Sequence, residues 1–250
     1  LLNALKSFLN AISVIGGSTS AERHVMLHER NGNYAGKVNL VDYQTRNYKD
    51  VVDLQPPSGR LWSAKNLGAT KETEYGWWLS WAEKSVFENT NARSSFYGGT
   101  SGPFTSASYA GIPASSVVGC ITGLEDAAHL LLGERWHMPD KNDWDELLDD
   151  SNTTLEWIDG YNGVTGFNGV LVRSVRNLNT IFLPACGIMN SETIQNSGTR
   201  VHYFLPTLYM DVTSDDANGV QLLKSSSGGV LKSTESIIAR YLGVQIRPVQ

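Results

Sequence analysis

The residues of this chain that could do chemistry are few and dispersed. Asp140, Asp143, Asp145 and Asp149 form the densest acidic group. Paired carboxylates about 5–9.5 Å apart are what glycoside hydrolysis needs. The order Pro139-Asp140-Lys141-Asn142-Asp143 gives them a simpler account. Asp140 reads as a helix N-cap, Asp143 as its capping-box partner, and the others as a solvated helix face. His24 and His28, four apart, share one face of a helix or strand, but zinc or iron would need further ligands. Asp215, Asp216 and Asn218 make an oxygen-rich turn that could hold calcium, and an acidic turn explains them more simply. Cys120 and Cys186 are too few for a disulfide framework. A single bridge would need an oxidising compartment. We expect two separate small core residues, Cys186 lying within the apolar run IFLPACG. Gly160, Gly163, Gly166 and Gly169 recur every three residues without the spacing of a phosphate loop, and Asn162-Gly163 and Asn168-Gly169 read as hairpin turns.

The elements that must position these groups can be read along the chain. Leu2, Leu5, Leu9 and Ile12 form an a/d stripe that ends at Gly16-Gly17. This N-terminal helix, residues 1–17, is either packed on its own domain or the end of a coiled coil joining identical chains. Residues 18–50 read as a β-rich connector with a hairpin signal at Asn31-Gly32. The main domain, 51–250, opens with a strand at Leu61-Trp62-Ser63-Ala64, and Glu74–Trp78 reads as a second, aromatic strand. Residues 88–116, rich in Ser, Thr, Gly and Asn, form a long loop or insertion. Leu124–Leu132 is an amphipathic helix closed by Gly133, and Asp140 starts a second whose stripe is Trp144, Leu147 and Leu148. The remainder, to Val249, reads as short strands and long loops.

Composition narrows the classes. The chain has 250 residues, 41% of them hydrophobic and 18% charged, enough for one sizeable core. A net charge of −5 without a basic run argues against nucleic acid. No apolar stretch approaches the roughly 20 residues of a membrane span, so no membrane insertion is expected. A chain that opens on Leu, with no leader pattern, reads as part of something longer.

Four segments carry a resemblance: LQPPSGRLWSAKNLGAT (Leu54–Thr70), RWHMPDKNDWDELL (Arg135–Leu148), TIFLPACG (Thr180–Gly187) and YLGVQIRPVQ (Tyr241–Gln250). In order and spacing they resemble the repeated Fibrobacter–Bacteroidetes surface domain called the FISUMP domain, over roughly residues 51–250. The resemblance implies an α+β, C-type-lectin-like fold of the formylglycine-generating-enzyme subtype, with short strands, two helices and long loops. It makes Trp62, Trp77, Trp136 and Trp144 scaffold residues. The formylglycine oxidase uses a pair of cysteines near its C-terminal end. Cys120 and Cys186 match neither that position nor that spacing, so the activity does not carry over and no enzyme is expected.

Departures from the family concentrate between Gly198 and Tyr241, a pattern that resembles the variable proteins of diversity-generating retroelements. On that resemblance the ligand-binding residues are Arg200, His202, Tyr203, Phe204, Leu205, Thr207, Tyr209, Ser236, Arg240 and Tyr241. Tyr offers rigid contact area and Arg directional donors, although Tyr203, Phe204 and Tyr241 could equally belong to the core. The implied role is an extracellular binding module, on a bacterial surface or a phage tail-fibre tip. It would be homotrimeric and would recognise a cell-surface protein or glycan. No cofactor is expected, calcium being the one ion left open. An adhesive tip subunit without diversification stands second, and a formylglycine-generating-type or carbohydrate-active enzyme third.

Overall fold

The computed structural model describes residues 51–82, 120–123, 126–190, 193–209 and 216–250. The N-terminal helix, the connector with His24 and His28, the insertion at 88–116 and Asp215 lie outside the described residues. What is described is a mixed α+β structure, mostly small antiparallel sheets with two α-helices.

Strand β1 (Val51–Asp53) pairs with β2 (Leu61–Ser63), setting Val52 opposite Trp62. Helix α1 (Ala127–Leu132) starts one turn later than the apolar pattern suggests. Asp126 takes the N-cap position in extended conformation and accepts hydrogen bonds from Ala128 N and His129 N, which sets the start of the helix at Ala127. Gly133 closes it, as expected. Helix α2 (Lys141–Leu147) has the capping box read from the sequence: Asp140 accepts from Asp143 N, and Asp143 accepts from Asp140 N. Strands β3 (Thr153–Ile158), β4 (Gly169–Ser174) and β5 (Thr180–Pro184) follow as a meander, and β6 (Ile188–Asn190) pairs with β7 (Thr193–Gln195).

The longest strands are β8 (Arg200–Leu208), β9 (Asp216–Lys224) and β10 (Val230–Ala239), in the order β10-β9-β8. The sequence reading of short strands and long loops is corrected here. Both faces of β8 are covered, so Val201–Leu205 shows no polar–apolar alternation to betray a strand. Two further readings change. Glu74–Trp78 forms no ladder; only Leu79 beyond it makes a bridge, to Val244. Asn168-Gly169 is no turn, because Gly169 begins β4 opposite Pro184 and a Cβ there would meet backbone of β5. Asn162-Gly163 does turn the chain, inside a short 3-10 segment between β3 and β4.

Strand β8 divides the interior. Val201, Tyr203 and Leu205 enter one core with Trp62, Trp144, Trp157 and Val249. Phe204 and Leu208 enter a second with Trp81, Trp136, α1 and Ile246. Successive side chains of a strand point to opposite faces, so one strand supplies both.

The C-terminal segment closes the domain against its beginning. Leu61 N donates to Gln250 O at 2.9 Å, Gln250 N to Leu61 O at 3.0 Å, Ser63 N to Pro248 O at 2.9 Å and Leu67 N to Ile246 O at 2.9 Å. Fully buried Arg247 donates from Nη1 to Ser63 O at 3.1 Å and from Nη2 to Phe182 O. Trp62 meets Trp144 edge to face at 5.0 Å, and Arg60 Nε donates to Asp143 Oδ1 at 2.7 Å. Four segments far apart in sequence thus meet in one knot. Among the described residues, no helix is long and apolar enough to cross a membrane.

Candidate functional site

The structure separates the residues proposed from sequence for ligand contact. Arg200 is exposed, and Thr207, Tyr209, Ser236 and Tyr241 are half-buried. His202, Tyr203, Phe204, Leu205 and Arg240 are buried: for Tyr203 and Phe204 this is the core alternative left open by the sequence, and for His202, Leu205 and Arg240 a surface role is corrected. Tyr203 packs on Trp144 at 5.0 Å and donates its hydroxyl to Asn66 Oδ1 at 2.8 Å. Burial pushes its phenol pKa up. Arg240 lies over the Trp81 ring, 4.9 Å from its centroid, a cation–π contact inside the second core. His202 Nε2 lies 2.8 Å from Gln221 Nε2, which donates to it. Burial, with Arg200 nearby, drops the imidazole pKa to about 4, so the ring is neutral at physiological pH. Tyr241 packs against the second core and Tyr209 N donates to Asp216 O.

The carboxylates are also spoken for. Asp143 is lowered although burial alone would raise it, because His137, the Asp140 amide and Arg60 all face it. Asp145 pairs with Lys141 and accepts from Thr234, and Asp149 accepts from Ser151 N. Asp126 is raised by burial while it ties Met138 N to the start of α1. Cys120 and Cys186 are both free thiols, and burial pushes Cys186 up. Asn218 Nδ2 donates to Thr207 Oγ1 and Leu208 O, which turns its amide into the sheet. No cluster of three or more His, Cys, Asp or Glu suited to a metal occurs among the described residues.

An open groove of about 390 Å³ lies elsewhere, along the segment after β2. Its floor is aromatic: Tyr75, Trp77, Trp78 and Phe167, with Thr73 and Glu74 at the rim. The three rings of the 75–78 segment are half-buried, so part of each reaches solvent. Their placement is built in. Gly68, at φ +84°, passes directly beneath the Trp77 ring, where any Cβ would overlap it. Tyr75 stacks on Phe167 at 4.9 Å and meets Trp78 edge-on at 5.9 Å. Phe167 continues to Phe182 at 5.7 Å, and Phe182 to Tyr161 at 3.8 Å. The rings make a continuous ladder from the groove into the β4–β5 sheet, and such offset and edge contacts stiffen them.

No protein-family model, curated protein or solved structure matches this chain. The groove is therefore judged on its own geometry. Thr73 also lines a second hollow of about 410 Å³, whose lining includes Lys65, Thr70, Lys71, Glu72 and Asn162. Glu74 Oε2 accepts from Thr70 N and Oγ1. Burial raises its pKa, but these bonds and Lys71 outweigh that and hold it lowered. Tyr161 donates to Glu72 Oε2 at 2.8 Å, and burial with that carboxylate moves its phenol up to about 12. Sequence reasoning missed this site because it took Glu74–Trp78 for a strand and Trp77 for scaffold only; Trp77 does pack against the second core, and it also lines the groove. The available signal was Gly76 between Tyr75 and the Trp pair, since a glycine weakens a strand and marks a close backbone approach, here to Leu67 O.

Proposed function

We propose that this chain is an extracellular ligand-binding display module on a C-type-lectin-like scaffold of the formylglycine-generating-enzyme subtype, as FISUMP-type domains are. The observation that carries the reading is the knot. The four segments that resemble the family, distant in sequence, meet one another through Trp62, Trp144, Asp143 and Arg247. Residue types shared by resemblance are then explained by mutual packing, and the functional chemistry is left to the surface around them. The module sits on a bacterial surface or a tail-fibre tip and acts as a homotrimer, to which the Leu2–Ile12 stripe contributes beside the domain's own contacts, with several heads adding avidity to modest single contacts.

Burial favours the adhesive reading without diversification over the diversified one. Free variation at His202, Tyr203, Phe204, Leu205 and Arg240 would change core volume and charge, which costs stability at nearly every substitution. A fixed binding surface on the aromatic groove asks for no such tolerance.

The test is saturable binding of the labelled full chain to a panel of bacterial cells, repeated with Leu5→Asp and Leu9→Asp combined. Saturable binding that weakens in the paired variant, together with loss of a trimer in sedimentation, is the expected result. No saturable binding to any surface would sink the reading.

A further inference from the structure

We propose that the groove of Tyr75, Trp77, Trp78 and Phe167, with the adjoining hollow across Thr73, binds a neutral oligosaccharide of at least two sugar rings; this rests on the reading of the chain as a binding module. The aromatic floor is the first reason. Pyranose rings carry flat C–H faces, and half-exposed aromatic faces held rigid by a ring ladder pack against such faces with little loss of side-chain entropy.

The rim selects the class. The charged groups lining the two hollows are already answered within the chain: Lys65 is buried and donates to Thr70 O at 3.1 Å, Glu74 accepts from Thr70, and Glu72 accepts from Tyr161. Charges that are partnered within the chain, with exposed Lys71 beside the carboxylates of Glu72 and Glu74, give little net attraction to an acidic or a cationic ligand. An apolar peptide side chain would strip water from those charges and return nothing. Sugar hydroxyls both donate and accept, so an uncharged polyhydroxylated chain can answer Glu74, Thr73, Lys71 and Glu72 together. Size agrees: hollows of about 390 and 410 Å³ in succession fall in the range of small-ligand sites and offer two neighbouring places for rings. Glu74 adds a positioning role, since its bonds to Thr70 hold the turn that joins the two hollows.

The experiment is an immobilised array of mono- to tetrasaccharides of glucose, galactose, mannose and N-acetylhexosamines, with sialylated, sulfated and uronate-bearing glycans as the second arm. It is probed with the full chain, and hits are measured by tryptophan fluorescence quenching. The expected result is binding to a neutral disaccharide or longer, weaker to the monosaccharide. Trp78→Ala should weaken it about tenfold, the size of one lost aromatic contact, while Trp78→Phe should stay within about threefold. Thr73→Arg, a change at the residue that lines both hollows and leaves the ring ladder intact, should obstruct a chain lying across them and reduce oligosaccharide binding to the monosaccharide level. Binding to acidic glycans alone overturns the proposal. So does oligosaccharide binding indifferent to both Trp78→Ala and Thr73→Arg. Saturable cell binding with no glycan held at about millimolar concentration overturns the saccharide and leaves the binding module standing. Failure to bind cells and glycans alike removes both.

Discussion

The two cores that share β8 are built on different principles. The core of Trp62, Trp144 and Tyr203 is apolar and aromatic; Tyr203 is tied to Asn66, and Arg247 beside it to two backbone carbonyls. The core of Trp81, Trp136 and α1 admits polar chemistry, with Arg240 over Trp81, and His202 lies on the same face of β8 as Phe204, which belongs to it. One strand thus faces a packed jigsaw on one side and a polar-tolerant interior on the other. The lesson is that burial along β8 does not mean one kind of environment. The aromatic core should respond to lost volume, and the other to lost charge and to pH.

The largest effect should come from the aromatic core. Trp144→Ala removes a ring in contact with both Trp62 and Tyr203 and should cost about 3–5 kcal/mol in chemical denaturation. Trp144→Phe should cost far less, because the indole Nε1 has no hydrogen-bond partner among the described residues and phenylalanine gives up no bond there. Equal losses for Ala and Phe would mean that volume is not what this core depends on.

Next comes charge in the other core. Arg240→Ala should cost at least about 2 kcal/mol, the scale of a desolvated cation–π pair. Tyr209→Ala, at a half-buried position, should stay within about 1 kcal/mol. Thermal melts with the two changes indistinguishable would erase the contrast between Arg240 and a surface residue.

The smallest effect per step is in pH. His202 binds its proton only near pH 4 when folded, against 6.5 in the unfolded chain. Between those values the unfolded state holds the extra proton. The stability is therefore fully present above about pH 6.5 and is lost as pH falls toward 4, by up to about 1.4 kcal/mol per unit. His202→Gln should flatten that part of the stability curve. A wild-type curve with the same slope as the variant between pH 6.5 and 4 would place the sensitivity elsewhere.

The local signals in the sequence were strong where a motif closes within a few residues. The Asp140–Asp143 capping box, Gly133 after α1 and the Leu61–Ser63 strand all depend on neighbours in the chain. The scaffold role of Trp62, Trp136 and Trp144 was legible too, since large apolar rings have few alternatives to burial. The contact residues were not. Arg240 and His202 are polar types that sequence reading sends to the surface, and only their neighbours reverse that.

Sequence alone determined the Asp140–Asp143 capping box, the Gly133 cap, the Asn162-Gly163 turn and the burial of Trp62, Trp136 and Trp144, because each follows from one side chain and its nearest neighbours. Tertiary structure decided the rest. It gave β8 two covered faces, drew Arg247 to the carbonyls of Ser63 and Phe182, and laid Trp77 over Gly68 so that an aromatic run became a groove. Those outcomes depend on segments more than 60 residues apart in the case of Arg247 and Phe182. The periodicity of a single strand reports how its faces differ, and a strand buried on both sides offers no difference to read.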